Sequence, residues 1–112
     1  MALSGVGIGL RRELYDALLS TPRKVDWLEL ITENFLGLEG RPAEMLGQLA
    51  GRWPLIPHGV GLSVGSAAPA GYLEALGPFL TRLDAPYFSD HLCFSSLGAR
   101  TWFCLLYTSR CV

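Results

Sequence analysis

Val25-Asp26-Trp27-Leu28-Glu29-Leu30-Ile31-Thr32 is β-branched and aromatic enough to read as a strand, although Glu29 places an acid inside it. Its flanks settle what kind of strand it is. Upstream, the turn Thr21-Pro22-Arg23-Lys24 follows a stretch, Arg11 to Ser20, in which Leu14, Ala17 and Leu18 recur at helical spacing. Before that, Val6 to Leu10 is a short apolar run among glycines, a first strand. Downstream, a loop with Gly37 and Gly40 leads to Pro42, which suits a first helical position, and Met45, Leu46, Leu49 and Trp53 then trace one apolar stripe. Pro54 ends that helix. Leu55-Ile56-Pro57-His58-Gly59-Val60 reads as a third strand whose prolines argue against ordinary antiparallel pairing.

Ser66 to Leu83 carries Tyr72, Leu73, Leu76, Phe79, Leu80 and Leu83 on a helical stripe interrupted at Gly77-Pro78, where a kink or two helices are expected. Tyr87 to Phe94 reads as a fourth strand. The order is βαβαβαβ, and alternation of this kind predicts a parallel sheet with right-handed crossovers, an α/β fold.

With 112 residues the chain has room for one domain at most. Half of it is apolar and 17% is charged, which excludes disorder. A net charge of −1 supplies no electrostatic footprint for nucleic acid or for an anionic membrane. No apolar run reaches the ~18 residues of a transmembrane helix, and the N-terminal charges follow the apolar stretch instead of preceding it, unlike a signal peptide. Three cysteines, Cys93, Cys104 and Cys111, at irregular spacing suggest a reducing, cytoplasmic setting over a disulfide scaffold. One tension remains, because so apolar a composition suits a fully covered parallel sheet, and such folds usually need a longer chain.

Several residues have chemistry to offer. Gly5, Gly7 and Gly9 invite a dinucleotide reading, but the fingerprint needs glycine where Leu10 stands, so close backbone packing is the better account. His58 and His91 are the two histidines, each late in its strand, and the carboxyl ends of parallel strands are where α/β sheets and barrels build their sites. Neutral imidazole is a common ligand of iron, zinc and copper, whereas a single histidine in an apolar strand is more often a hydrogen-bonded core residue. Glu29, Glu33 and Asp90 lie in segments too apolar to leave a carboxylate without a cation, a metal or donors. For Glu29 a salt bridge to Lys24 serves equally, and for Asp90 a cap; alternation sets Asp90 and His91 on different faces. Asn34 reads as a cap or as a contact near a site, and Cys93 as a small buried apolar residue or a thiolate ligand.

The segments GVGIGLR, VDWLELITENF, PHGVGLSVGS and SDHLCFSS, in this order over about residues 5–98, resemble the N-terminal portion of the multinuclear non-haem iron-dependent oxidative enzymes, the family of the methanobactin-biosynthesis oxidase. The resemblance implies a (β/α)8 TIM barrel of the xylose-isomerase and endonuclease IV type, with two or three iron ions at the carboxyl ends of the strands. It implies an oxidase that uses dioxygen to modify cysteines of ribosomally made precursor peptides, commonly with a partner protein that presents the peptide. His58 and His91 match histidine iron ligands in this pattern. Glu29, Glu33, Asn34 and Asp90 are expected near the site, in a supporting shell or against substrate.

After Gly98 the family would continue into further ligand-bearing strands, whereas Ala99 to Val112 holds two of the three cysteines and no Asp or Glu. Residues 1–98 are therefore expected to form the N-terminal half of a barrel domain and 99–112 an atypical tail outside the family fold, as in a truncated or frame-shifted gene. Such a fragment is expected to hold iron poorly and to be inactive alone. Two alternatives remain open: a divalent-metal sugar isomerase or phosphodiesterase on the same barrel, and a non-catalytic half-barrel that self-associates.

Overall fold

The computed structural model of the protein describes residues 2–22, 24–97 and 100–105. Strands β1 (Gly7–Gly9), β2 (Trp27–Ile31), β3 (Leu55–Gly59) and β4 (Ser89–Asp90) form one parallel sheet in the order β1-β2-β3-β4. Helices α1 (Tyr15–Ser20, entered through a 3-10 turn at Arg12–Leu14), α2 (Arg41–Ala50) and α3 (Tyr72–Arg82) are the crossovers. The chain is thus α/β, four parallel strands with three helices, the composition of half a (β/α)8 barrel.

Period 2 along the strands divides the sheet into two unlike faces. Leu28, Leu30 and Leu55 point towards the helices and join Leu46, Leu49 and Trp53 around α2, and Phe79 and Leu83 around α3, in one apolar cluster. The opposite face carries Trp27, Glu29 and Ile31 from β2, and Ile56 and His58 from β3, paired in register as Glu29 with Ile56 and Ile31 with His58. Ile31 is exposed on this face. Close packing explains two of the three N-terminal glycines: a Cβ on Gly7 would lie 2.1 Å from the Trp27 ring, and one on Gly5 would strike the Asp26 carboxylate that accepts the Val6 N–H at 2.8 Å, whereas one on Gly9 would meet nothing within 4 Å among the described residues.

Arg52, just after α2, ties this unit together. Its guanidinium donates to the carbonyls of Leu18 and Leu19, each at 2.8 Å, and of Thr21 at 2.9 Å, which satisfies the carbonyl end of α1. It also stacks 4.5 Å from the centre of the Trp53 ring, whose indole N–H donates to Val25 at 3.0 Å.

Two expectations change. Of the kink or two helices expected at Gly77-Pro78, two helices do not form: α3 is a single element with Pro78 inside. Proline removes the backbone bond to the Glu74 carbonyl, but Leu76 before it and Phe79 and Leu83 after it are all buried on one side and hold the helix continuous. The fourth strand, expected over Tyr87 to Phe94, is parallel only at Ser89–Asp90. There the Asp90 side chain takes the N–H of His91 at 2.7 Å and the Cys93 N–H turns back to the His91 carbonyl at 2.9 Å, a local alternative to the ladder. Cys93–Leu97 (β5) then pairs antiparallel with Arg100–Leu105 (β6), which draws part of the tail into a hairpin. Residues 99 and 106–112 of that tail lie outside the described residues.

Candidate metal centre

The two histidines expected at the site meet. His58 lies at the carboxyl end of β3, and His91 directly follows β4, the neighbouring parallel strand. Their Nε2 atoms are 3.0 Å apart, a hydrogen bond in which one imidazole donates to the other, with the rings inclined at 57°. The Nδ1 of His58 is 2.8 Å from the hydroxyl of Ser89, its register partner on β4. Both imidazoles are half-buried. A ring fixed through Nδ1 presents Nε2 outward, the arrangement in which a second nitrogen sets the orientation of a ligating one.

Glu33 and Asp90 gather behind this pair and hold backbone. Glu33, in the 3-10 turn that follows β2, accepts on one oxygen, Oε1, from the N–H groups of Val60 at 2.9 Å and Gly61 at 2.8 Å and from the Tyr72 hydroxyl at 2.5 Å. Its other oxygen, Oε2, is buried and has no hydrogen-bond partner among the described residues. Burial opposes the charge, but the hydrogen bonds from Tyr72, Val60 and Gly61 outweigh it and hold the carboxyl below its ordinary pKa. The Tyr72 phenol is pushed up by burial, by its bond to Glu33 and by the charges of Glu33 and Asp90. Asp90 accepts the Leu62 N–H at 3.2 Å on one oxygen and the His91 N–H on the other.

The remaining candidates lie elsewhere. Glu29 is half-buried on the sheet face that carries His58 and meets no side-chain partner among the described residues, Lys24 included. Asn34 is exposed and lines a cavity of about 610 Å³ with Arg12, Tyr15, Phe35 and Arg41, between the loops that leave β1 and β2. Cys93 is fully buried, its thiol pushed up by burial and by the nearby Asp90 charge, as suits a small apolar residue. Sequence reasoning missed Ser89 and Tyr72: the serine's role appears only once β4 is registered on β3, and the tyrosine sat unnoticed in an apolar stripe.

Could such a site take a metal? Metal–imidazole bonds of about 2.1 Å meeting at about 90° put two nitrogens ~3.0 Å apart, and the His58 and His91 Nε2 atoms have that separation. Among the described residues no group of three or more His, Cys, Asp and Glu is placed to hold an ion. The pair therefore fits as part of a ligand set.

The profile of the family described as RiPP precursor modification enzyme MbnB/TglH/ChrH matches residues 5–109. The chain belongs to this family. Relatives include a UPF0276 protein of Anaeromyxobacter sp. (strain Fw109-5), 40% identical over 88% of this chain, and one of Acinetobacter baylyi, 38% identical over 86%. One from Caulobacter vibrioides is 41% identical over 83%. The chain spans about a third of the length of these relatives, 35%, 34% and 34% respectively. No helix among the described residues is long and apolar enough to cross a membrane.

Proposed function

We propose that this chain contributes the first two histidine ligands, His58 and His91, of a non-haem iron centre in an oxidase that modifies cysteines of ribosomally made precursor peptides. The observation that carries the reading is the pair of Nε2 atoms 3.0 Å apart at the carboxyl ends of adjacent parallel strands. The family's description as a precursor modification enzyme supports a peptide substrate. When bound, iron would supply one-electron chemistry with dioxygen, which no side chain of this protein can provide.

The protein's own residues orient and shelter. Ser89 holds the His58 ring through Nδ1, and in the tautomer that donates from Nδ1 to this hydroxyl Nε2 keeps its lone pair for a metal. A half-buried position limits competing water around both rings. Glu29, two residues before Ile31 on the same sheet face, stands where it can meet substrate or steady a further ligand. The rest of the ligand set, the remaining strands of a (β/α)8 barrel and the surface for a peptide-presenting partner belong to sequence that the relatives have and this chain does not span. In this reading residues 1–98 are the barrel portion, the family match continues past them to residue 109, and the protein works in the cytoplasm.

Elemental analysis tests the ligands. In a full-length protein in which this chain replaces the matching third of a relative, prepared anaerobically with ferrous iron, His58→Ala and His91→Ala each lower the iron content; equal content in all three proteins refutes the assignment. A chimaera in which this chain replaces the matching third of the Caulobacter vibrioides relative tests the reaction. Co-expressed with a panel of cysteine-bearing peptides, it changes the mass of at least one in air and of none without oxygen. A mass change independent of oxygen contradicts the oxidase reading.

A further inference from the structure

Three consecutive backbone N–H groups leave β3 immediately after Gly59, and all three end on carboxylates. Val60 and Gly61 donate to Glu33, which reaches in from the end of β2; Leu62 donates to Asp90, which reaches in from β4. The exit of β3 is thus clamped from both neighbouring strands. Asp90 also takes the N–H of His91, so a single carboxylate ties the segment after one histidine to the backbone of the other.

The carboxylates lie on the far side of the strand from the imidazoles. Asp90 pairs in register with Gly59, and Ser89, whose hydroxyl holds the His58 ring, pairs with His58 itself; adjacent residues of a strand face opposite ways. Tyr72, at the start of α3, closes that far side by donating to Glu33. Two glycines make the clamp feasible. A Cβ on Gly59 would lie 2.2 Å from Asp90 Oδ2 and 3.1 Å from the Tyr72 hydroxyl, and one on Gly61 would lie 3.1 Å from Glu33 Oε1.

We propose that Glu33 and Asp90 are positioning residues, which set the His58–His91 separation by clamping the Val60–Leu62 backbone and do not themselves bind the metal. This rests on the reading of the two histidines as ligands. Charge-assisted bonds to backbone N–H groups are about twice as strong as neutral ones and resist local opening. Loss of such supporting bonds typically weakens metal binding by about 10–100-fold with the ligands unchanged.

Cobalt(II) is a suitable probe, titrated into the whole chain and followed by its visible absorption. Glu33→Ala should weaken binding by about 10-fold without altering the stoichiometry. Glu33→Gln, which keeps an oxygen for the Val60 and Gly61 N–H groups, should restore most of it. Gly61→Ala, which retains both carboxylates but crowds Glu33 Oε1 and the clamped turn, should weaken binding in the same direction. Wild-type affinity in Gly61→Ala, together with equal losses in Glu33→Gln and Glu33→Ala, would show the carboxylate to be a ligand and overturn the proposal.

A metal-free measurement separates this from the ligand reading. In 15N NMR spectra Glu33→Ala should move the Val60 and Gly61 amide signals together with the His58 imidazole signals, while Tyr72→Phe produces a smaller shift of the same resonances. If wild type fails to bind cobalt, the ligand reading falls, and the imidazole signals still decide the clamp. Unmoved His58 signals in Glu33→Ala would sink it.

Discussion

The helix-covered face of the sheet and its carboxyl edge are built from the same strands and solve opposite problems. On the covered face Leu28, Leu30 and Leu55 lie dry against Leu49 and Trp53, so the free energy is that of apolar burial and close packing. At the carboxyl edge the same strands end in His58, Glu33 and Asp90, where nearly every polar atom has an assigned partner and Glu33 Oε2 has none among the described residues. Stability is concentrated in the first region and chemistry in the second. A fold of this kind can vary its reaction without disturbing its core.

Substitutions should pull these regions apart. The largest effect is expected at Trp53→Ala, which empties a buried site, removes the indole donor to Val25 and strips the surface on which Arg52 stacks. A loss of about 3–5 kcal/mol in denaturant unfolding is predicted, with a loss under 1 kcal/mol contradicting the packing described. Leu28→Ala should fall close behind, at about 2–5 kcal/mol. Arg52→Ala deletes three bonds from a charged donor to the end of α1 and should lose about 1.5–3 kcal/mol. His58→Ala and His91→Ala should lose less than about 1 kcal/mol while removing metal binding. If either unfolds the chain as readily as Leu28→Ala, the division between the regions fails.

The smallest expected effect is a pH dependence at the edge. The Glu33 carboxyl titrates below its ordinary value in the folded protein, so its contribution is complete above about pH 4.5 and is lost as pH falls through the folded pKa. Tyr72 is shifted the other way: its contribution is complete below about pH 10 and is lost as pH rises through its raised folded value. Glu33→Gln should flatten the acid limb of a stability-versus-pH curve, and Tyr72→Phe the alkaline limb. Unaltered limbs in both variants would show that the bond between these side chains contributes no stability.

Part of the covered face was legible in the sequence, because the stripe through Leu46, Leu49 and Trp53 records which side of α2 is buried, whereas residues 25–32 marked a strand without marking its faces, Trp27 and Ile31 on the open side being as apolar as Leu28 and Leu30. The edge was legible as a set of residue types. His58 and His91 stood out by residue type and by late strand position, and the structure brings them together. What the acids hold was hidden, since Glu33 and Asp90 bind N–H groups of Val60, Gly61 and Leu62, and backbone donors leave no trace in a residue pattern. The short β4 was misread for the same reason: Phe88, Leu92, Cys93 and Phe94 suit a strand by propensity, and the Asp90 side chain captures the next N–H and ends the ladder. Pro78 left a kink or two helices open in the sequence, and buried neighbours on both sides keep α3 one element despite the missing bond.

The central claim is that His58 and His91 face one metal ion through Nε2. Imidazole 15N NMR of the whole chain titrated with zinc(II), a diamagnetic ion, tests it most directly. The account predicts that the Nε2 resonances of both histidines move together at the same zinc concentration, with the His58 Nδ1 resonance staying that of a protonated nitrogen bonded to Ser89. Movement of one histidine alone, or of Nδ1 in place of Nε2, would contradict it.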